Sequence, residues 1–231
     1  MKKYSIILIV AALSLLAVSC KKESAGQTRI TYYASISLTG DNPYFMAVGG
    51  TYTDPGFTAE MKGEDVSGEV SVDESAVDPS KPGAYKVNYK IFNADGFPAT
   101  ASRDVLVINP GNIATVYEGH AHNKNKTRDF TGAFIVVEDA GGGKYFVNDF
   151  LGGYYFYGLY PGYEPAYDFH WEGYFSINDD NSLKFEGTQN DWDFYESDDE
   201  AAFVGTYDPA TGVLDWNFGF CYVTLTPFNF N

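Results

Sequence analysis

The residues Tyr85, Val87, Tyr89 and Ile91 alternate with Lys86, Asn88 and Lys90. That period of two predicts a strand with one face buried and one in water. Ala94-Asp95-Gly96 follows as a turn. Residues 102–108 then read as a further strand, closed by Asn109-Pro110-Gly111. Beyond it, 134–137 (Phe-Ile-Val-Val) is a short apolar run ended by Gly141-Gly142-Gly143, and 144–150 reads as another strand. Residues 173–177 and 182–185 flank Asn178-Asp179-Asp180-Asn181, a hairpin signal. Residues 202–207 and 212–218 flank Asp208-Pro209-Ala210-Thr211, a second one, and 220–225 reads as the last strand. No stretch repeats apolar residues at helical spacing. The pattern predicts an all-β chain: a β-sandwich over 29–110, then an antiparallel β-sandwich or small β-barrel over 111–231.

The first 19 residues follow a different logic. Lys2 and Lys3 precede an apolar run from Ile6 to Val18, too short to span a bilayer comfortably and of signal-peptide length. The run ends Ala17-Val18-Ser19-Cys20, which resembles a bacterial lipobox, with Ala17 at the place of the usual Leu. The resemblance implies cleavage before Cys20 and acylation of its thiol, which anchors the chain to a membrane. Residues 20–28 then form a polar tether. Cys221 would be the one other cysteine, so no internal disulfide can form; it sits in an apolar strand and reads as a buried thiol.

Within 29–110, the residues Gly50-x-Tyr52-x-Asp54-Pro55-Gly56, Pro82-Gly83-Ala84-Tyr85-x-Val87-x-Tyr89, Asp95-Gly96, Ala99, Arg103, Val105 and Val107 resemble the bacterial surface immunoglobulin-like domain, also found in a pesticidal crystal protein. The resemblance implies an immunoglobulin-like sandwich that acts as a spacer or surface module, with no catalytic residues. The run 147–155 (Val-Asn-Asp-Phe-Leu-Gly-Gly-Tyr-Tyr) and the Tyr207-to-Gly212 hairpin resemble the β-rich C-terminal domain of Bacteroides-type surface lipoproteins. That implies a cell-envelope protein at the outer membrane. Lys21-Lys22-Glu23 is mixed in charge, which leaves the membrane face open.

Composition narrows the partners. The net charge is −16, and −18 once Lys2 and Lys3 are removed. This argues against nucleic acid and against anionic polysaccharides. Residues 145–175 hold 14 aromatics among 31 residues, broken by Gly and Pro. Two readings compete: rings that fill a core, or a platform on which the apolar faces of sugar rings stack. Under the second, Tyr160, Tyr163, Trp171 and Trp192 are the stacking candidates, and Asp168 and Asp191 the hydroxyl acceptors.

The acids Asp198, Asp199 and Glu200, with Asp191, Asp193 and Glu196, could attract calcium but lack the spacing of a binding loop. His120 and His122 would share one strand face, with no third ligand in register. No phosphate loop, dinucleotide fingerprint, nucleophile elbow or zinc-protease helix occurs. The sequence therefore predicts no cofactor, no metal and no enzyme. It predicts a lipid-anchored envelope protein that binds a neutral oligo- or polysaccharide through its C-terminal domain. The alternatives are a structural or protein-interaction module of an envelope complex and, third, a small hydrolase.

Overall fold

The computed structural model describes residues 30–163, 166–190 and 202–230. The signal segment, Cys20, Asp191, Trp192 and the acids 196–200 lie outside the described residues. The chain is all-β, as its periodicity predicts.

Seven strands form the N-terminal part: β1 (Ser35–Leu38), β2 (Tyr44–Ala47), β3 (Phe57–Met61), β4 (Glu64–Asp65), β5 (Ser71–Asp73), β6 (Gly83–Phe92) and β7 (Pro98–Ile108). One sheet has the order β1-β3-β4 and the other β2-β7-β6-β5, with β2 parallel to β7. Along β6, Val87, Tyr89 and Ile91 are buried, while Lys86, Asn88 and Lys90 face water. The alternation read from the sequence is the actual partition between core and solvent. Met46, Val87, Tyr89, Val105 and Val107 pack against Ile36, Leu38 and Phe57 of the facing sheet.

Arg103 sits in this core at 0% exposure. A buried guanidinium is tolerable only when its donors are engaged. Its Nη2 donates to the carbonyls of Thr39 (2.8 Å) and Gly56 (3.0 Å), its Nη1 to the carbonyl of Asp41, and the Asp54 carboxylate lies 3.6 Å away. Arg103 thus ties two loops to β7.

The remaining strands are β8 (Val116–Asn123), β9 (Arg128–Gly141), β10 (Lys144–Val147), β11 (Gly173–Ile177), β12 (Ser182–Thr188), β13 (Val204–Tyr207), β14 (Leu214–Asn217) and β15 (Cys221–Pro227). They form a closed antiparallel barrel in chain order, with β15 returning to β8. Of the two architectures expected, the barrel is the one adopted. Both predicted hairpins occur, β11–β12 and β13–β14. The strand expected over 144–150 stops at Val147, because the chain turns into the barrel there.

The apolar run Val105–Ile108 is buried throughout, on both faces. Its inner residues serve the sandwich core. Leu106 and Ile108, with Phe45, meet Val116, Phe134, Val136 and Phe228 on the outside of the barrel. Rings of Phe45 and Phe134 lie 5.4 and 5.9 Å from that of Phe228. This apolar seam joins the sandwich to the barrel.

A plugged barrel and its aromatic shelf

Eight strands enclose a space that side chains can fill or that can hold one small ligand. Here the connection between β10 and β11 fills much of it. Phe150, Leu151, Tyr154 and Trp171 from this connection are buried among Tyr117, Ile135, Phe175, Trp216 and Leu225 of the barrel wall. The ring of Phe150 lies 5.3–6.1 Å from those of Phe185, Trp216, Phe218, Trp171 and Phe203.

A loop inside a core must find partners for its backbone. Asp149 supplies them. It is fully buried; its Oδ1 accepts from the backbone N–H of Leu151 (2.9 Å) and Trp171 (3.3 Å), and its Oδ2 from that of Gly153 (2.8 Å). Burial pushes its carboxyl above the ordinary range; His170 and the three N–H donors pull the other way. The Trp216 indole donates to the Phe150 carbonyl at 2.7 Å, and Phe150 N–H donates to the Trp171 carbonyl at 2.8 Å. Close approach is bought with glycine. A Cβ on Gly153, whose φ is +83°, would lie 2.2 Å from the Ala133 Cβ, and one on Gly119 would lie 2.7 Å from the Gly152 carbonyl oxygen. The run 147–155 is therefore the plug.

Beyond the plug the chain forms a π-helical turn, Tyr154–Leu159, and then an irregular segment returning to Trp171. Its rings form a ladder. Tyr155 and Tyr160 stack at 6.3 Å between centroids, Tyr160 and Phe169 at 4.6 Å, and Phe169 and Tyr167 at 6.2 Å, with interplanar angles of 25°, 28° and 29°. Tyr163 meets Tyr160 and Phe169 edge-on. Phe156 stacks on His170 at 3.7 Å, and Tyr157 approaches both. The outer members are open to water: Tyr163 is 52% and Tyr167 60% exposed. The plug holds the inner end of this shelf and the barrel rim supports it.

The sequence candidates separate on this frame. Tyr160 and Tyr163 belong to the shelf, Tyr160 half-buried and Tyr163 exposed. Asp168 lies beside them and is exposed, but its Oδ1 already accepts from the His170 backbone N–H (3.0 Å) and meets the His170 ring Nδ1 at 2.7 Å. It orients His170. Trp171 is corrected: at 0% exposure, 4.5 Å from the Phe218 ring, it is core and has no face for a ligand. Its burial follows from parity, since Trp171, Gly173 and Phe175 all point inward from β11 and its approach. Asp191 and Trp192 fall outside the described residues. Tyr157 and Phe169 are shelf members that the sequence reading did not single out. Tyr167, a further shelf member, lies in the same Gly- and Pro-broken stretch of 145–175 and is not among the six candidates.

Among the described residues, charged groups near the shelf are few. Glu172 is half-buried, and burial, helped by the charge of Asp168, raises its carboxyl. The Asn190 side chain accepts from Glu172 N–H at 3.0 Å and donates to the His170 carbonyl at 2.8 Å, which closes the returning segment onto β12. His120 and His122 do lie on one outer face of β8, where His122 pairs with Asp129. No cluster of three His, Cys, Asp or Glu side chains suited to a metal occurs among the described residues. Cys221 is buried in the barrel, and burial pushes its thiol up to about 12.

Comparison with known proteins matches two families. Residues 36–107 match the family described as bacterial surface protein, Ig-like domain. Residues 109–229 match the BT2262-like, C-terminal domain family. Among solved structures, the lipoprotein BT2262 from Bacteroides thetaiotaomicron is 26% identical, with a TM-score of 0.57 over 85% of this chain and 100% of that one. The M60 catalytic domain with the CBM51-1 and CBM51-2 domains of Clostridium perfringens ZmpB aligns at 15% identity over 50% of this chain and 14% of that one; its TM-score of 0.27 carries no argument. No curated protein matches. Because the second family match spans more than half of its 231 residues, the chain belongs to the BT2262-like C-terminal domain family, here preceded by a bacterial surface immunoglobulin-like domain.

Proposed function

We propose that the chain is a lipid-anchored protein of the cell envelope, at the outer membrane, that binds a neutral glycan on the aromatic shelf of its barrel and does not turn it over. The observation that carries this is the exposed ladder itself. Tyr163 and Tyr167 are large rings more than half exposed, yet they rest on ordered rings beneath them. An apolar ring face with a wet hydroxyl at its edge suits the C–H face and hydroxyls of a pyranose. Its two stiff side-chain torsions keep the ordering entropy low. Burial of Trp171 leaves Tyr157, Tyr160, Tyr163 and Tyr167 as the residues that would contact sugar. Negative charge over the whole chain favours an uncharged ligand. The envelope placement is supported by homology to a protein described as a lipoprotein and by the Cys20 lipobox.

Affinity electrophoresis of residues 21–231 in gels containing a panel of neutral polysaccharides tests the reading. Retardation in at least one gel, with no release of reducing ends on incubation, is the expected outcome. Free migration in every gel, with capture of one defined envelope protein from membranes, would replace glycan binding by the protein-interaction role. Release of reducing ends that stops in Glu172→Gln would overturn the non-catalytic part.

A further inference from the structure

The shelf is not the molecule's one exposed apolar surface. At the opposite end of β7 from the barrel, Ile30, Tyr32, Tyr33, Phe92 and Phe97 are 68%, 42%, 63%, 54% and 49% exposed. They come from three pieces of chain: the segment entering β1, the end of β6 and the β6–β7 turn. The β3–β4 turn adds Lys62, whose Nζ lies 4.4 Å above the Tyr32 ring; Lys90 Nζ lies 4.6 Å above that of Phe92. Tyr33 and Phe97 rings are 5.7 Å apart.

This pole is preorganised. Asn93 is buried, and its Nδ2 donates to the Tyr32 carbonyl at 2.7 Å. Its Oδ1 accepts from the backbone N–H groups of Phe97 (2.8 Å) and Asp95 (3.0 Å). One side chain therefore rivets the entering segment to the turn. From Pro98 at this pole, β7 runs about 33 Å to Ile108, which packs on the barrel.

What covers the pole is indicated by the chain that leads into it. Cys20 precedes Ile30 by ten residues, a reach of at most about 36 Å. An acylated Cys20 thus holds the membrane surface within that distance of Ile30. Tyr rings with lysines beside them are the side chains that the headgroup layer of a bilayer accepts, rings at the boundary and ammonium groups in water. We infer that this pole, built on Tyr32, Tyr33, Phe92 and Phe97, docks onto the lipid headgroup layer of the membrane that anchors the chain. Tethering keeps the effective concentration of that surface high, so a modest patch suffices. Docking stands the sandwich on the membrane and carries the barrel and its shelf away from it. The inference rests on the lipid-anchored reading.

The test uses the whole chain from Cys20 onward, coupled through the Cys20 thiol to a maleimide lipid in phosphatidylcholine vesicles; Cys221 is buried and stays unreacted. Tyr33→Trp adds a reporter at the pole, and the native tryptophans all belong to residues 171–216. With acyl chains brominated near the headgroup, the added emission should fall about twofold on docking while the parent's emission is unchanged. Phe92→Ser with Phe97→Ser should lower the docked fraction's ratio to free about tenfold. Equal quenching of parent and reporter chains overturns the docking. So does sedimentation of the uncoupled chain as a dimer that the double substitution dissolves, which would assign the pole to a second copy. Metabolic labelling with an alkynyl fatty acid, lost in Cys20→Ala, checks the anchor separately. A missing label would overturn the natural tether whatever the coupled chain does.

Discussion

Replacing Asp149 by Ala removes the one acceptor that three buried backbone N–H groups share, those of Leu151, Gly153 and Trp171. Each donor left unpaired in a core costs about 1–3 kcal/mol. The Trp171 bond, at 3.3 Å, is the weakest of the three. Part of the loss is offset, because the raised carboxyl shows that holding the charge there is unfavourable. A net loss of about 3–5 kcal/mol follows. Asp149→Asn keeps one carbonyl oxygen but sets an amide N–H against a backbone donor, so a loss of about 1–3 kcal/mol is expected. Urea unfolding followed by tryptophan fluorescence reads both, since Trp171 and Trp216 each bond to the plug's backbone. If Asp149→Ala unfolds within about 0.5 kcal/mol of the parent, the carboxylate does not organise the plug and the reasoning fails.

Gly153→Ala places a methyl in collision with Ala133 at a positive φ and should destabilise the barrel by at least about 2 kcal/mol, read from the same urea midpoint. Arg103→Met keeps the volume but removes the donor to the Thr39 and Asp41 carbonyls and one of the two donors to that of Gly56, which keeps the Thr39 N–H; a loss of about 2–4 kcal/mol should appear in calorimetry as earlier melting of the sandwich. Glu186 is held down to about 2 by hydrogen bonds from Lys184 and Ser176, with Lys144 beside its other oxygen. A lowered carboxyl stabilises the fold above its ordinary value of 4.5, and that stabilisation disappears as pH falls from 4.5 toward 2. Glu186→Gln should therefore flatten the acid limb of the stability profile over that range. Asp149 has the opposite sign: its raised carboxyl makes protonation favour the fold, and Asp149→Asn should leave the Glu186 limb intact.

Much of the fold was legible because burial on one face writes itself as period two. Strand β6 shows this residue by residue, and both C-terminal hairpins announced themselves through Asn, Asp, Pro and Gly. The runs 105–108 and 134–137 broke the alternation for a physical reason: their outward residues are covered by each other across the seam. The plug was not legible. Residues 148–150 continue the composition of a strand, and nothing in them tells that Asp149 turns inward to hold N–H groups of residues 151, 153 and 171. Trp171 was misplaced because a Gly/Pro-broken aromatic stretch reads alike whether its rings plug a barrel or line its rim. Only the inward parity of 171, 173 and 175 separates the two. Tyr160 and Tyr163 stand on the shelf, where the intervening Pro161-Gly162 breaks any regular strand that would turn both rings into a core.

The central claim is that the exposed rings of the shelf bind sugar and the buried ones do not. The most direct measurement is side-by-side affinity electrophoresis of the parent and Tyr163→Ala/Tyr167→Ala chains in a gel of the neutral polysaccharide that retards the parent most. Both residues are more than half exposed, so the double variant should unfold within about 1 kcal/mol of the parent. The account predicts that its retardation is abolished while its urea midpoint is nearly unchanged. Retardation equal to the parent's, in a chain that folds as well, would contradict it.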